Sequence, residues 1–156
     1  MKQSIVILIV ICCILAIAAR QKPNQEPADQ WKHVSVQTGK VIGPYSPAQQ
    51  TGPFLFMSGQ ICINQETGAM ENKDIETEIH KTLENLSGIL KAAGYTPDDV
   101  VSTTVYLKDM KDFPTMNKIY SDFFHQGNYP ARSTIQVAAL PKDARIEIAA
   151  IAVKSH

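Results

Sequence analysis

The chain has 156 residues, and its 15 Lys and Arg are balanced by 15 Asp and Glu, for a formal charge of zero. No segment concentrates basic residues, so the sequence lacks the electrostatic footprint of a nucleic-acid binder or of a protein that lies on an anionic membrane. Past an apolar leader roughly 125 residues remain, the common size of one domain with its own core, and repeats and low-complexity tracts are absent.

The leader differs in kind from the rest. Lys2 supplies a short positive region, Ile5 to Ala19 is an unbroken apolar run, and Ala16-Ile17-Ala18 offers a small-x-small cleavage site. The run is shorter than the ~20 residues of a spanning helix, so the expectation is a cleaved secretory signal over residues 1–19. A polar linker over 20–30 and a single domain over 31–156 would follow, in an exported product, periplasmic or secreted. The alternative is a membrane anchor formed by residues 5–19 if they stay uncleaved. Cys12 and Cys13 lack the small preceding residues that would suggest lipidation. Without the leader Cys62 is the only cysteine, so no intrachain disulfide forms and packing must hold the domain. With no His base nearby, Cys62 reads as a small apolar filler rather than a nucleophile.

Trp31 to Val36 alternates weakly and suggests a short first strand. Residues 38–53 hold three Pro and three Gly, including Gly43-Pro44-Tyr45-Ser46-Pro47, and read as an ordered extended loop. Phe54-Leu55-Phe56-Met57-Ser58 is a compact apolar strand ending at Ser58-Gly59, where a missing Cβ lets something approach the backbone. Thr67-Gly68 marks a turn and Ala69-Met70-Glu71 a short returning strand. From Asp74 to Ala93, Ile75, Ile79, Leu83, Leu86 and Leu90 recur at helical steps, with acidic residues at the start and Gly94 just past the end.

Val100 to Leu107 alternates as a strand, with Val101, Thr103, Val105 and Leu107 on one side. A second helix is expected from Asp112 to His125, capped by Asp112 and burying Phe113, Met116, Tyr120, Phe123 and Phe124, with Asn117 beside that stripe. Two late strands follow, one opened by Arg132 in the stretch Tyr129 to Val137 and one from Ile146 to Val153, with Pro141-Lys142-Asp143 between them. The order β-β-(β)-α-β-α-β-β reads as α+β, two helices on one face of a mixed sheet. The late strands are apolar on both faces, so the second face of the sheet is best buried in an oligomer whose sheets pack against each other.

Two charges stand out on those late strands. Arg132 opens the first and Glu147 sits inside the second, and neither type is readily buried without a partner. Arg132, Thr134 and Gln136 share one face, which sets Arg132 and Thr134 ~7 Å apart, a span suited to a very small molecule. A guanidinium grips a carboxylate through two parallel hydrogen bonds, which a Lys does not do. Glu147, among Ile and Ala, should have a raised pKa suited to proton exchange. Together these suit hydrolysis next to a carboxylate.

By default an Arg–Glu couple is a structural ion pair. A tight hairpin around residues 141–144 would leave the two ~20 Å apart, so either the strands are not hairpin neighbours or the charges find partners elsewhere, including on another subunit. Tyr45 on its Pro-braced loop can donate a hydrogen bond to a ligand or simply pack, and Ser58-Gly59 can face an anion or simply end a strand. The histidines show no metal-ligand spacing, no CxxC or HExxH is present and no Gly-rich phosphate loop occurs, so no metal or cofactor is expected.

These residues lie in segments that closely resemble the RidA (YjgF-type) reactive-intermediate deaminases. The matching segments run from Gly43 to Val153. They are Gly43-Pro44-Tyr45-Ser46, Ser58-Gly59-Gln60-Ile61, Ala92-Ala93-Gly94, Thr103-Thr104-Val105-Tyr106-Leu107-Lys108-Asp109, Pro130-Ala131-Arg132-Ser133 and Leu140-Pro141-Lys142-Asp143 through Ile146-Glu147-Ile148. The resemblance implies a chorismate-mutase-like fold, a homotrimer with ligand clefts between subunits, and hydrolysis of 2-imino and enamine acids to 2-keto acids and ammonia without a cofactor. It implies that Arg132 binds the substrate carboxylate, that Glu147 positions or activates water, and that Tyr45, Ser58, Gly59 and Asn117 line the cleft. Thr134 stands where many members carry Cys, which implies altered tuning.

The leader departs from the cytosolic setting usual for the family. A non-catalytic trimer binding small carboxylates is the competing reading, and RNA cleavage, attributed to some relatives, fits the neutral charge balance poorly.

Overall fold

The computed structural model describes residues 43–154 and the backbone of residues 32–34. The expectations for the leader and linker fall outside the described residues. Among the described residues no helix is long and apolar enough to cross a membrane.

Among the described residues are six strands and two α-helices. They are β1 (Lys32–Val34), β2 (Ala48–Thr51), β3 (Phe54–Gln60), α1 (Ile75–Ala93), β4 (Val100–Leu107), α2 (Phe113–Phe123), β5 (Ala131–Gln136) and β6 (Ile146–Val153). The strands form one mixed sheet in the order β1-β2-β3-β6-β4-β5. Only β4 and β5 run parallel, joined by the α2 crossover, and the other neighbours are antiparallel. The two late strands are therefore not hairpin neighbours: β4 lies between them.

α1 begins where Asp74, in extended backbone, accepts a 2.8 Å hydrogen bond from the Thr77 N–H. It ends at Gly94, whose φ of 79° is left-handed, a conformation that suits Gly because it has no Cβ. Its apolar stripe, Ile79, Leu83, Leu86 and Leu90, is at most 2% exposed and packs with Leu55 and Met57 of β3 and Ile146 and Ile148 of β6. Each such side chain contributes about 1.5–3 kcal/mol when fully removed from water. α2 adds Met116, Tyr120 and, just beyond its end, Phe124 to the same core.

Four details differ from the sequence reading. Ala48–Thr51, expected as loop, pairs with β3 as a strand, because its half-polar Ala-Gln-Gln-Thr carries no apolar alternation to announce it. The returning strand near Met70 is reduced to a single bridge with Ile63. The register of β4 against β6 shifts between Val100 and Ser102, which turns Val100 inward and leaves Val101 48% exposed. Asp112 makes no capping hydrogen bond: its buried carboxylate takes the Arg145 guanidinium through two bonds of 3.2 and 2.6 Å, a stronger partner than one backbone N–H.

The face of the sheet away from the helices is open. Phe54, Phe56, Val101 and Ile135 remain 41–48% exposed, with the Phe54 and Phe56 rings stacked at 6.1 Å. β5, expected to be core-like, is an edge strand in the protomer.

Candidate active site

Arg132 sits at the start of β5, opposite Thr103 of β4. Residues paired across a ladder share a face, and Thr103 is buried under α2, where its hydroxyl lies 2.7 Å from the Tyr120 hydroxyl. Arg132 therefore lies on the helix side. Its Nη2 donates to Asn117 Oδ1 at 2.7 Å, and its guanidinium carbon stands 4.5 Å from the Tyr120 ring centre and 5.8 Å from that of Phe113. Burial raises the pKa of the Tyr120 phenol, while Thr103 and Arg132 pull it down.

The rigid ring and the amide brace the cation from two sides, and among the described residues no carboxylate neutralises it. Asn117, expected beside the apolar stripe, is thus a direct partner of Arg132. Thr134 follows on the same face, its Oγ1 buried without a hydrogen-bond partner.

Glu147 belongs to the other face. It pairs with Tyr106, three residues beyond Thr103 on β4, and lies between Ile146 and Ile148, both fully buried on the helix side. Its carboxyl is half-buried, and desolvation raises its pKa. The side chain lies over Gly59. A Cβ built on Gly59 would fall 1.8 Å from Glu147 Oε1 and 2.6 Å from its Cδ.

The space exists because β3 bulges there: Met57 pairs with Ala150 and Gln60 with Ile148, so Ser58 and Gly59 oppose Ala149 alone. Gln60 donates from Nε2 to the Ser58 carbonyl at 2.9 Å, a side-chain bond within the bulge.

Ser58 serves the neighbouring loop. Its hydroxyl donates to the Ser46 carbonyl at 2.7 Å and its N–H to the Pro47 carbonyl at 3.0 Å, which fixes the loop bearing the exposed Tyr45. The structure thus gathers Arg132, Asn117 and Thr134 at the β5 edge and Ser58, Gly59 and Glu147 around the β3 bulge, with the exposed Tyr45 on the loop that Ser58 anchors. A groove of about 550 Å³ between α1 and α2, lined by Leu83, Ile119 and Phe123 among others, contains neither charge.

A buried polar ladder escaped the sequence reading. Glu78, Thr82 and Asn85 occupy positions i, i+4 and i+7 of α1, and all three are at most 6% exposed. Their spacing alone could have disclosed a polar stripe beside the apolar one.

Comparison with known proteins relates the chain to deaminases of RidA type. The family model described as Endoribonuclease L-PSP matches residues 36–154, and the chain belongs to that family, which includes the RidA-type reactive-intermediate deaminases. A RutC family protein of Pyrococcus horikoshii is 50% identical over 74% of this chain and 90% of that protein. The 2-iminobutanoate/2-iminopropanoate deaminase of Salmonella typhimurium is 45% identical over 72% of this chain and 89% of that protein.

Among solved structures, the Escherichia coli YjgF gene product superposes with a TM-score of 0.74 at 40% identity, covering 80% of this chain and 98% of that one. Escherichia coli TdcF with bound serine gives 0.73 at 39% identity, over 83% and 100%. The fold and family expected from the motifs are borne out.

Proposed function

We propose that the protein hydrolyses small 2-imino and enamine acids, such as 2-aminoacrylate/2-iminopropanoate and 2-iminobutanoate, to 2-keto acids and ammonia at sites shared between subunits of a homotrimer. The observation that carries this is a braced, unneutralised guanidinium on one face of the sheet and a desolvated carboxyl on the other. The two groups can serve one small molecule only if different protomers supply them, and the edge position of Arg132 leaves it open to a neighbour. The names of the relatives support the substrate class, and serine bound to TdcF supports a compact carboxylate as ligand.

In this reading Arg132 holds the substrate carboxylate while Asn117 keeps the guanidinium in place. An enamine is first protonated on carbon to give the iminium form. Glu147 then takes a proton from water as the water oxygen bonds to C2 and the C=N π pair moves onto nitrogen. The resulting carbinolamine receives that proton on nitrogen, the C–N bond breaks, the C=O bond forms, and ammonia carries off the hydroxyl proton as ammonium. No cofactor is needed, because the iminium is already electrophilic and orientation supplies the gain.

The test couples an amino-acid oxidase to the purified protein and follows the loss of imine. Arg132→Ala should lower kcat/KM by about 10²–10⁴-fold, the loss of two charge-assisted hydrogen bonds, and Arg132→Lys should recover little of it. Equal rates for wild type and Arg132→Ala, neither above buffer, would overturn the proposal. Tight binding of 2-ketobutyrate without turnover would replace it with the carboxylate-binding trimer.

The apolar leader supports an exported domain. N-terminal sequencing of the protein from its host should find a start near Arg20, and a chain retaining Met1 would reverse that assignment.

A further inference from the structure

The seat of Glu147 over Gly59 tolerates little movement, since the carboxylate fills the space of a Cβ. The ladder alone does not set it, because the β3–β6 register breaks between Met57 and Gln60. A contact from outside the sheet would add to the pairing that resumes at Gln60 and Ile148. Glu78, in the first turn of α1 and 2% exposed, reaches the flanks of both strands. Its Oε2 accepts from the Arg145 N–H at 2.9 Å, just ahead of β6 and two residues before Glu147. The same oxygen takes the Cys62 thiol at 3.5 Å, two residues beyond the end of β3.

Burial and the Glu78 charge push the Cys62 pKa up to about 12, so the thiol remains a donor. Asn85, two turns along α1, donates to the carbonyls of Ile61 and Ile63 at 2.9 and 2.8 Å, securing the same end of β3. No Lys or Arg side chain among the described residues forms an ion pair with Glu78, as the Arg145 guanidinium goes to Asp112. Burying a carboxylate that way is costly, and an apolar residue would pack more cheaply, but it would leave the Arg145 N–H without an acceptor.

We propose that Glu78 is a positioning residue for Glu147, clamping the end of β3 to the start of β6 so that the carboxylate is seated over Gly59. The role rests on the deaminase reading. It acts through backbone, so a shape-preserving acceptor should suffice and a retracted one should not.

The experiment compares Glu78→Gln, Glu78→Asp and Glu78→Leu in the full chain. It reads kcat and KM for imine turnover, the melting temperature, and the Glu147 titration followed by carboxyl ¹³C NMR. Glu78→Asp and Glu78→Leu should lower kcat about 10- to 100-fold, leave KM within about threefold, and move the Glu147 titration back toward an ordinary carboxyl. Glu78→Gln should restore both readouts. Wild-type kcat and an unmoved Glu147 titration in Glu78→Asp would overturn the proposal, and that variant decides the matter if Glu78→Leu does not fold. A fall in kcat and KM that merely tracks melting temperature, without a change in the titration, would also overturn it. A wild-type protein without turnover would overturn the deaminase reading instead, while the Glu147 titration would still report on the seat.

Discussion

Glu147 faces less water than an ordinary carboxyl, and that has a thermodynamic consequence. Burial raises its pKa in the folded state, so the native protein holds this proton more tightly than the unfolded chain does. The associated stabilisation is fully present below the unfolded value and is lost as pH rises through the raised folded value. Glu147→Gln has no such dependence. Its stability relative to wild type should therefore climb with pH across that window and level off above it, as urea denaturation at stepped pH would show. Parallel curves for the two proteins would mean that the carboxyl is fully hydrated.

Both charges could be found in the sequence, because an Arg and a Glu on otherwise apolar strands are conspicuous. Their separation onto opposite faces was hidden, since it depends on β4 lying between them and on the three-residue offset from Thr103 to Tyr106.

At the scale of elements, the β3 bulge is the feature with most bearing on the site. Gly59 has no positive φ, so alanine suits the backbone there, and the obstacle is the carboxylate itself. Gly59→Ala should push the flexible Glu147 side chain off its seat, lowering imine turnover by about 10²-fold while stability falls by no more than about 1 kcal/mol. Wild-type turnover in that variant would show that the carboxyl works from another position.

α1 was legible from end to end because an unbroken helical stripe, Asp74 and Gly94 all speak for the same boundaries. The irregular places were not. A bulge reverses which of Val100 and Val101 faces inward, and Asp112 forgoes its cap for Arg145, a residue 33 positions away. Local pattern carries no trace of a partner that only the tertiary fold brings close.

At the scale of the whole molecule, the open sheet face calls for a second layer. Phe54, Phe56, Val101 and Ile135 together expose more apolar surface than scattered single residues would, and covering the remaining half of each is worth about 1 kcal/mol. Phe56 lies mid-sheet, opposite Ile151. Phe56→Asp would place a charge in that layer and should convert the proposed trimer into monomer or aggregate, as sedimentation would show. Turnover should vanish with it, because one protomer keeps Arg132 and Glu147 on different sides. A wild-type protein that sediments as an active monomer would contradict this.

The sheet also carries an order of events. β6 is the last described strand to be synthesised, yet it lies at the centre, pairing Phe54 with Val153 on one side and Leu107 with Ile146 on the other. Until it leaves the ribosome, β2 and β3 share no strand pairing with β4 and β5, and only helix packing connects the two pieces of sheet. Pairing across so much chain is intrinsically slow. Completion of the sheet therefore waits on β6, the last of the described strands to be made.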